Sequence, residues 1–287
     1  MSDIYLLVMK LAIGFLISGA IAYGAYRFQA LDRSGAIAAL VLGAFTIGFG
    51  GGGWAVVLLT FFISASLLSI LFRSRKADAK NDYAKGSRRD AGQVLANGGV
   101  AGLLAVFYFI LNWVNPESSL RQVLWLGFAA SLAGASADTW ATELGILNPR
   151  LPVMITSFKK VPAGTSGAIS LVGSLGALGG AALVAGAAAL MVSFGWAPEG
   201  RLPLGVQFLV ITMGGTAGAF VDSLLGGTLQ AVYYCPRCEK ETERHPVHIC
   251  GTPTTQKRGW AWLDNDRVNA ICTISAGLVG MMIGKIL

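Results

Sequence analysis

Several carboxylates in this chain stand where an apolar stretch should carry none. Asp138 and Glu143 lie five residues apart in Ser136-Ala-Asp138-Thr139-Trp140-Ala-Thr142-Glu143-Leu-Gly145, and Asp222 opens the run Asp222-Ser223-Leu-Leu-Gly226. An ionised side chain within or at the end of such a stretch is expensive unless it is paired or solvated. Helical spacing sets Asp138 and Thr142 on one face and Thr139 and Glu143 on the next. Two carboxylates this close repel each other in a low dielectric unless a cation offsets them, and a divalent metal or Lys159 is the natural partner. Asp264, in Asp264-Asn265-Asp266 ahead of Asn269, either caps a helix or joins the same group. If the helices bring these ends together, Asp138, Glu143, Asp222 and Asp264 converge on one or two Mg²⁺ ions, because hard cations take oxygen ligands.

A second constellation suits an anion. Thr156-Ser-Phe-Lys159-Lys160-Val-Pro162-Ala-Gly164-Thr165-Ser166-Gly167 places two lysines, then small and hydroxyl-bearing residues, just ahead of an apolar segment. Exposed backbone N–H groups, a helix dipole and point charges are what a phosphate needs. The run is not a Walker A sequence, and Gly-Thr-Ser-Gly before a helix is also an ordinary capping loop. Gln93 and Asn97, one helical turn apart at the start of another apolar segment, serve either helix packing or ligand contact.

The third constellation is Cys235-Pro-Arg-Cys238, followed by His245, His248 and Cys250. Cys-x2-Cys with His and Cys about ten residues later is structural zinc spacing. Cys235, Cys238, His248 and Cys250 are the expected ligands, and four protein ligands leave no open position for catalysis. Cys272, inside an apolar segment, reads as packing.

The elements that must position these groups are membrane spans. Of 287 residues, 54% are hydrophobic and 13% charged, with a mean hydropathy of +0.61, outside the range of soluble domains. Stretches of about 20 apolar residues, enough to cross the hydrocarbon layer, recur along the whole chain, which excludes a cleaved leader as their cause. They fall at roughly 4–26, 34–51, 54–72, 92–114, 121–146, 168–194, 204–233 and 265–286. The expected fold is therefore an all-α, polytopic transmembrane helical bundle of about eight spans, one domain over residues 1–287, with a small Cys/His loop at 235–262. Glycines and alanines dominate the sixth span and predict close helix packing.

Basic residues fix the expected orientation. Arg27, Arg33, the run from Arg73 through Arg75, Lys76, Lys80, Lys85 and Arg88 to Arg89, then Arg150, Lys159, Lys160, Arg237, Lys240, Arg244, Lys257, Arg258 and Arg267 gather on one side. The other side has little beyond Arg121, Arg201 and Lys285. The crowded side is expected to be cytoplasmic and both termini outside, in a cell membrane. The net charge of +7 then needs no nucleic-acid partner, since loop retention and anionic lipid account for it.

Taken jointly and in order, Gln93-Val-Leu-Ala-Asn-Gly98, Asp138-Thr-Trp-Ala-Thr-Glu-Leu-Gly145, Lys160-Val-Pro-Ala-Gly-Thr-Ser-Gly167, Asp222-Ser-Leu-Leu-Gly226 and Leu263-Asp-Asn-Asp266 with Val268-Asn269 resemble the multi-span membrane family that includes plant phytyl-phosphate kinase. A more distant similarity links Asp138, Ala141, Gly145, the lysines and Gly164-Thr165 to polyprenol kinases. The resemblance implies phosphorylation of an isoprenyl monophosphate to the diphosphate by CTP or another nucleoside triphosphate. It implies Asp138 and Asp222 on Mg²⁺, Lys159 as a catalytic cation, and Lys160 with Gly164, Thr165, Ser166 and Gly167 on phosphates. Asn97, Asp266 and Asn269 would orient the ligands. A transporter of an anionic substrate and a CDP-lipid-forming cytidylyltransferase are the alternatives, and a homo-oligomer is left open.

Overall fold

The structure is a computed structural model that describes residues 2–72 and 88–287. Of the expected basic run, Arg73, Arg75, Lys76, Lys80 and Lys85 lie outside the described residues. Among the described residues eight long helical segments follow one another: α1 (Ser2–Arg27), α2 (Arg33–Phe45) continued by a π-helical turn (Thr46–Gly50), α3 (Gly52–Leu71), α4 (Ala91–Val114), α5 (Leu120–Gly145), α6 (Leu171–Ser193), α7 (Leu204–Thr228) and α8 (Asn265–Ile286). Seven of them are long and apolar enough to cross a membrane. The eighth, α5, is the least exposed to a bilayer: it is buried without a break from Trp125 to Ala137 and packs against α3, α4, α6, α7 and α8. A helix walled in by its neighbours needs less hydrocarbon-like surface, which frees α5 to carry polar side chains at one end.

Small residues allow the central helices to approach closely. Gly173, Gly176 and Gly180 of α6 face the backbone of α5 at Ala141, Trp140 and Ser136, so the glycine stripe of the sixth span is a packing surface. Gly134 of α5 and Gly218 of α7 both meet Ala276 of α8, with Cys272 beside them, buried as a packing residue.

Successive helices run up and down, so α2, α4, α6 and α8 all start at the same end of the bundle. Each is capped there by a side chain of the residue before it. Asp32 accepts from the Gly35 amide, Asp90 from Gln93, Ser170 from Gly173 and Asp264 from Arg267. Asp90 and Gln93 form a reciprocal capping box, which commits the Gln93 side chain to structure. Four helix N-termini therefore present their positive dipole ends to one side of the molecule.

That end also carries structure beyond the all-α expectation. The loop between α5 and α6 folds into a hairpin of β1 (Val153–Met154) and β2 (Ala168–Ile169). The segment between α7 and α8 forms β3 (Val232–Cys235), β4 (Lys240–Thr242) and β5 (Thr255–Arg258), in the order β4-β3-β5. The expected sixth and seventh spans are accordingly trimmed: α6 begins at Leu171 because residues 168 and 169 pair as a strand, and α7 stops at Thr228 because Val232 onward joins a sheet.

Candidate functional site

A cavity of about 1050 Å³ opens at the capped end of the bundle, walled by α4 to α8, the β1–β2 loop and the β3–β5 module. Asp138 lies seven residues before the end of α5 and Asp222 six before the end of α7, so both sit roughly 10 Å inside their helices. Their carboxylates meet across the cavity within hydrogen-bond reach, and Glu243 of the β3–β5 module faces Asp222 as well. Asp222 Oδ2 is shut off from solvent and has no hydrogen-bond donor among the described residues. Acidic oxygens so arranged need a cation or a shared proton to be tolerated. The donor set is all oxygen, which fits a hard divalent cation.

Glu143 and Asp264, both expected beside them, are held differently. Glu143 is buried and accepts a 2.6 Å hydrogen bond from Ser69 Oγ, and its charge acts on Arg89. Asp264 uses one oxygen to cap α8 at the Arg267 amide (3.0 Å) and the other to pair with the Arg267 guanidinium (2.9 Å). It lines the cavity and is more than half exposed. Asn97, Asp266 and Asn269 line the cavity too, with the Asn97 amide donating to the Gln93 carbonyl at 2.8 Å.

The Gly164–Gly167 loop borders the cavity, although it does not open a helix. Ser170 caps α6, and the loop instead leads into β2, held by Ala168 N–H to Thr165 O (3.1 Å) and Ile155 N–H to Gly167 O (3.1 Å). Gly167 has φ +83°, and a Cβ there would overlap the Gly227 backbone at the end of α7. Only glycine satisfies both the left-handed backbone and this close approach. Ser166 Oγ donates to Gln230 Oε1 at 2.9 Å, and Gln230 Nε2 donates to Glu243 Oε1 at 2.8 Å. Arg258 of β5 clamps both partners by donating to Gly226 O (2.8 Å) and Ser166 O (3.1 Å). The loop is thus tied through one polar chain to the acidic pair.

Lys159 and Lys160 sit on the β1–β2 loop, exposed, and neither borders the cavity. Among the described residues the arginines that do are Arg89 and Arg244, which sequence reading treats as loop charges, and His245, which it sets beside the cysteine motif, borders the cavity with them. Burial lowers the Arg89 pKa from its ordinary value while Glu143 opposes the shift, and an arginine so placed remains a cation at neutral pH. A signal existed for it: Arg89 precedes the Asp90 cap directly, so its position is fixed by the start of α4.

The β3–β5 module gathers the cysteine motif. One ligand atom each from Cys235, Cys238, His248 and Cys250 lies within 4.8 Å of the others, a set that could hold a metal ion. Cys235 Sγ is 3.5 Å from Cys250 Sγ, and His248 Nδ1 is 3.2 Å from Cys250 and 3.6 Å from Cys238. Ligands around a tetrahedral zinc stand about 3.3–3.8 Å apart, so the spacing fits. The Thr252 hydroxyl, then His248, pulls the Cys250 thiol down to about 5. Contact with Cys250 pushes the Cys238 thiol up to about 11. His245 is not part of this set. It stacks on Tyr233, centroids 4.4 Å apart, at the cavity wall.

The model of one family, described as integral membrane protein DUF92, matches residues 16–277. The chain belongs to this family. Among DUF92 relatives, Protein PGR of Arabidopsis thaliana is 32% identical over 91% of this chain and 92% of its own length. A membrane protein of Methanocaldococcus jannaschii is 30% identical over 96% and 95%. Protein VTE6, chloroplastic, also of Arabidopsis thaliana, is 27% identical over 87% of this chain and 63% of its own length. No solved structure matches this DUF92 chain.

Proposed function

We propose that this DUF92 protein transfers the γ-phosphoryl group of CTP, or of another nucleoside triphosphate, to an isoprenyl monophosphate of the phytyl, geranylgeranyl or farnesyl class. The observation that carries the reading is the Asp138–Asp222 pair, set inside an apolar bundle with one oxygen buried and undonated. The family's resemblance to plant phytyl-phosphate kinase and the four helix N-termini at this end support it.

An oxygen of the acceptor monophosphate attacks the γ-phosphorus as the bond to the β,γ-bridging oxygen breaks. The nucleoside diphosphate leaves with that bond's electrons. The acceptor phosphate is already anionic near neutral pH, so no side chain must remove a proton, and catalysis reduces to positioning and charge neutralisation. Mg²⁺ fits the acidic oxygens: Asp138 and Asp222 would hold it beside Glu243, and there it would offset charge on the nucleotide phosphates. The amides of Gly164, Ser166 and Gly167 would bind phosphate oxygens while the Thr165 and Ser166 hydroxyls, which donate to Pro162 O and Gln230, would hold the loop in shape, and Asn97, Asp266 and Asn269 would orient the two substrates. Arg89 and Arg244 would supply fixed positive charge at the cavity wall, whereas Lys159 and Lys160 would act only if their loop folds over the nucleotide.

The cysteine cluster would hold a structural Zn²⁺ that keeps Glu243 and His245 on the cavity wall. With the basic loops on the same side as the cavity, the active end would face the cytoplasm and both termini would lie outside.

The test is to incubate purified protein with Mg²⁺, γ-labelled CTP and isoprenyl monophosphates from geranyl to phytyl, then to separate the lipids. Label should enter an isoprenyl diphosphate and be lost in Asp138→Asn. Entry of α-phosphate label into lipid would instead indicate cytidylyl transfer. Substrate flux into proteoliposomes without nucleotide consumption would indicate transport.

A further inference from the structure

A second, apolar cleft lies between α1, α2, α3 and α4, and it meets the polar cavity at three shared residues, Arg89, Gln93 and Asn97. Its walls are otherwise almost wholly hydrocarbon, among them Ile21, Leu42, Ile47, Leu59 and Phe62. The one hydroxyl in it, Ser18, is spent on the carbonyls of Gly14 (2.6 Å) and Leu40 (3.0 Å). The cleft is narrow, about 70 Å³, and along α3 it reaches from Phe62 down to Ala55, roughly 10 Å of helix.

Arg89 is fixed at the mouth. Its N–H donates to Ala30 O and its carbonyl accepts from Asp32 N–H, both at 3.0 Å, which pins it to the turn between α1 and α2. Its guanidinium lies 5.7 Å from the Phe61 ring centroid and 6.0 Å from that of Phe62. A guanidinium set over two rings is kept at this mouth, where the Glu143 carboxylate also acts on it, and a planar fork of N–H donors suits an oxyanion. Glu143, beside it, is five residues from Asp138 on α5, roughly 7.5 Å along the axis, so an anion at Arg89 lies close to the carboxylate pair.

We infer that the cleft and Arg89 form the acceptor subsite: the isoprene units nearest the phosphate lie in the apolar cleft and the monophosphate is held by Arg89 at the edge of the polar cavity. The inference rests on the phosphotransferase reading and names where its lipid substrate binds. Charge and polarity select the occupant. A nucleotide has no group suited to the cleft, whereas a single-chain phosphate monoester matches a slot that is apolar along its length and cationic at one mouth. Chain length is then read by how far the slot extends toward Ala55.

The experiment measures KM for geranylgeranyl and for dimethylallyl monophosphate, and for CTP, in the unaltered protein, Arg89→Gln and Ala55→Phe. Arg89→Gln should raise both acceptor KM values roughly tenfold or more and leave the CTP value within about twofold. Ala55→Phe should raise KM for the twenty-carbon acceptor alone, since the short one does not reach the blocked end. Ala55→Leu should give the same pattern more weakly, separating blockage from misfolding. A CTP value that moves with Arg89, an equal effect of Ala55→Phe on both chains, or competition by phosphatidic acid as strong as by the substrate would each overturn the inference while leaving the kinase in place. If no acceptor is labelled at all, the kinase reading fails. Thermal stabilisation by geranylgeranyl monophosphate, present in the unaltered protein and lost in Arg89→Gln, then decides the subsite by itself, and its absence would overturn it.

Discussion

The bundle and the β3–β5 module each concentrate groups that a folded protein normally keeps apart, and they resolve the conflict in opposite ways. In the module, Cys235, Cys238, His248 and Cys250 close on a point with every ligand position supplied by protein. In the bundle, Asp138 and Asp222 meet at the side of a cavity of about 1050 Å³, and one acidic oxygen still lacks a donor among the described residues. Four soft ligands on short turns would leave a metal no open position, whereas hard ligands on two rigid helices with space in front of them would leave room for a substrate. The two are joined physically, because Glu243 of the module faces Asp222 and also accepts from Gln230, which in turn holds Ser166.

The sharpest way to break the comparison is to neutralise a carboxylate in the bundle. Asp222→Asn should lower turnover by at least about 100-fold, since a group acting on transition-state charge is lost. Thermal stability should stay the same or rise, because the change also removes repulsion between neighbouring acids. Activity and thermal melts on the same detergent preparation check both. Equal losses of activity and stability would make the pair a structural element and erase the contrast with the cysteine cluster.

A smaller effect is expected from the module. If the cluster holds zinc as proposed, Cys250→Ser should lower the zinc content found by elemental analysis of the purified protein, and with it the melting temperature of the module. Activity should fall by roughly 10-fold, in the range seen when groups that orient a site from outside it are removed. The loss comes from Glu243 and His245, which stand on the module's strands and turns, rather than from chemistry at the metal. A loss as deep as that of Asp222→Asn would mean that the metal itself takes part.

The helices were legible because hydropathy is a local property: the expected boundaries of the first five spans and of the eighth agree with the structure to within about two residues. The errors fall where pairing partners are distant in sequence. Ala168 and Ile169 look helical by composition, and only Val153 and Met154, on the far side of the loop, make them a strand. Val232 and Tyr233 read as the tail of an apolar span until β4 and β5 supply the hydrogen bonds of the strand they open. The acidic residues were legible by their cost, since burial of charge needs a reason. The site's arginines were not, because an arginine in a basic loop resembles its neighbours and only the fold reveals that Arg89 is half-buried over Phe61 and Phe62.

The smallest predicted effect tests that last point. Lys159 carries the right charge in the right motif, yet it lies exposed on the β1–β2 loop and does not border the cavity. A lysine whose ammonium remains in solvent contributes little to a bound phosphate, because water and salt screen it. Lys159→Ala should therefore change the KM for CTP by no more than about threefold at physiological salt. Lowering the ionic strength should widen the gap between the two proteins only modestly. A loss of 100-fold or more would mean that the loop closes over the nucleotide and carries Lys159 inward, as substrate-gated loops do. In that case protection of the 156–167 backbone from hydrogen exchange should rise when CTP and Mg²⁺ are added. Without such protection, a large kinetic effect would have to come from Lys159 acting through the loop's own fold, and the hairpin pairing of Val153 with Ile169 would be the element to examine by exchange.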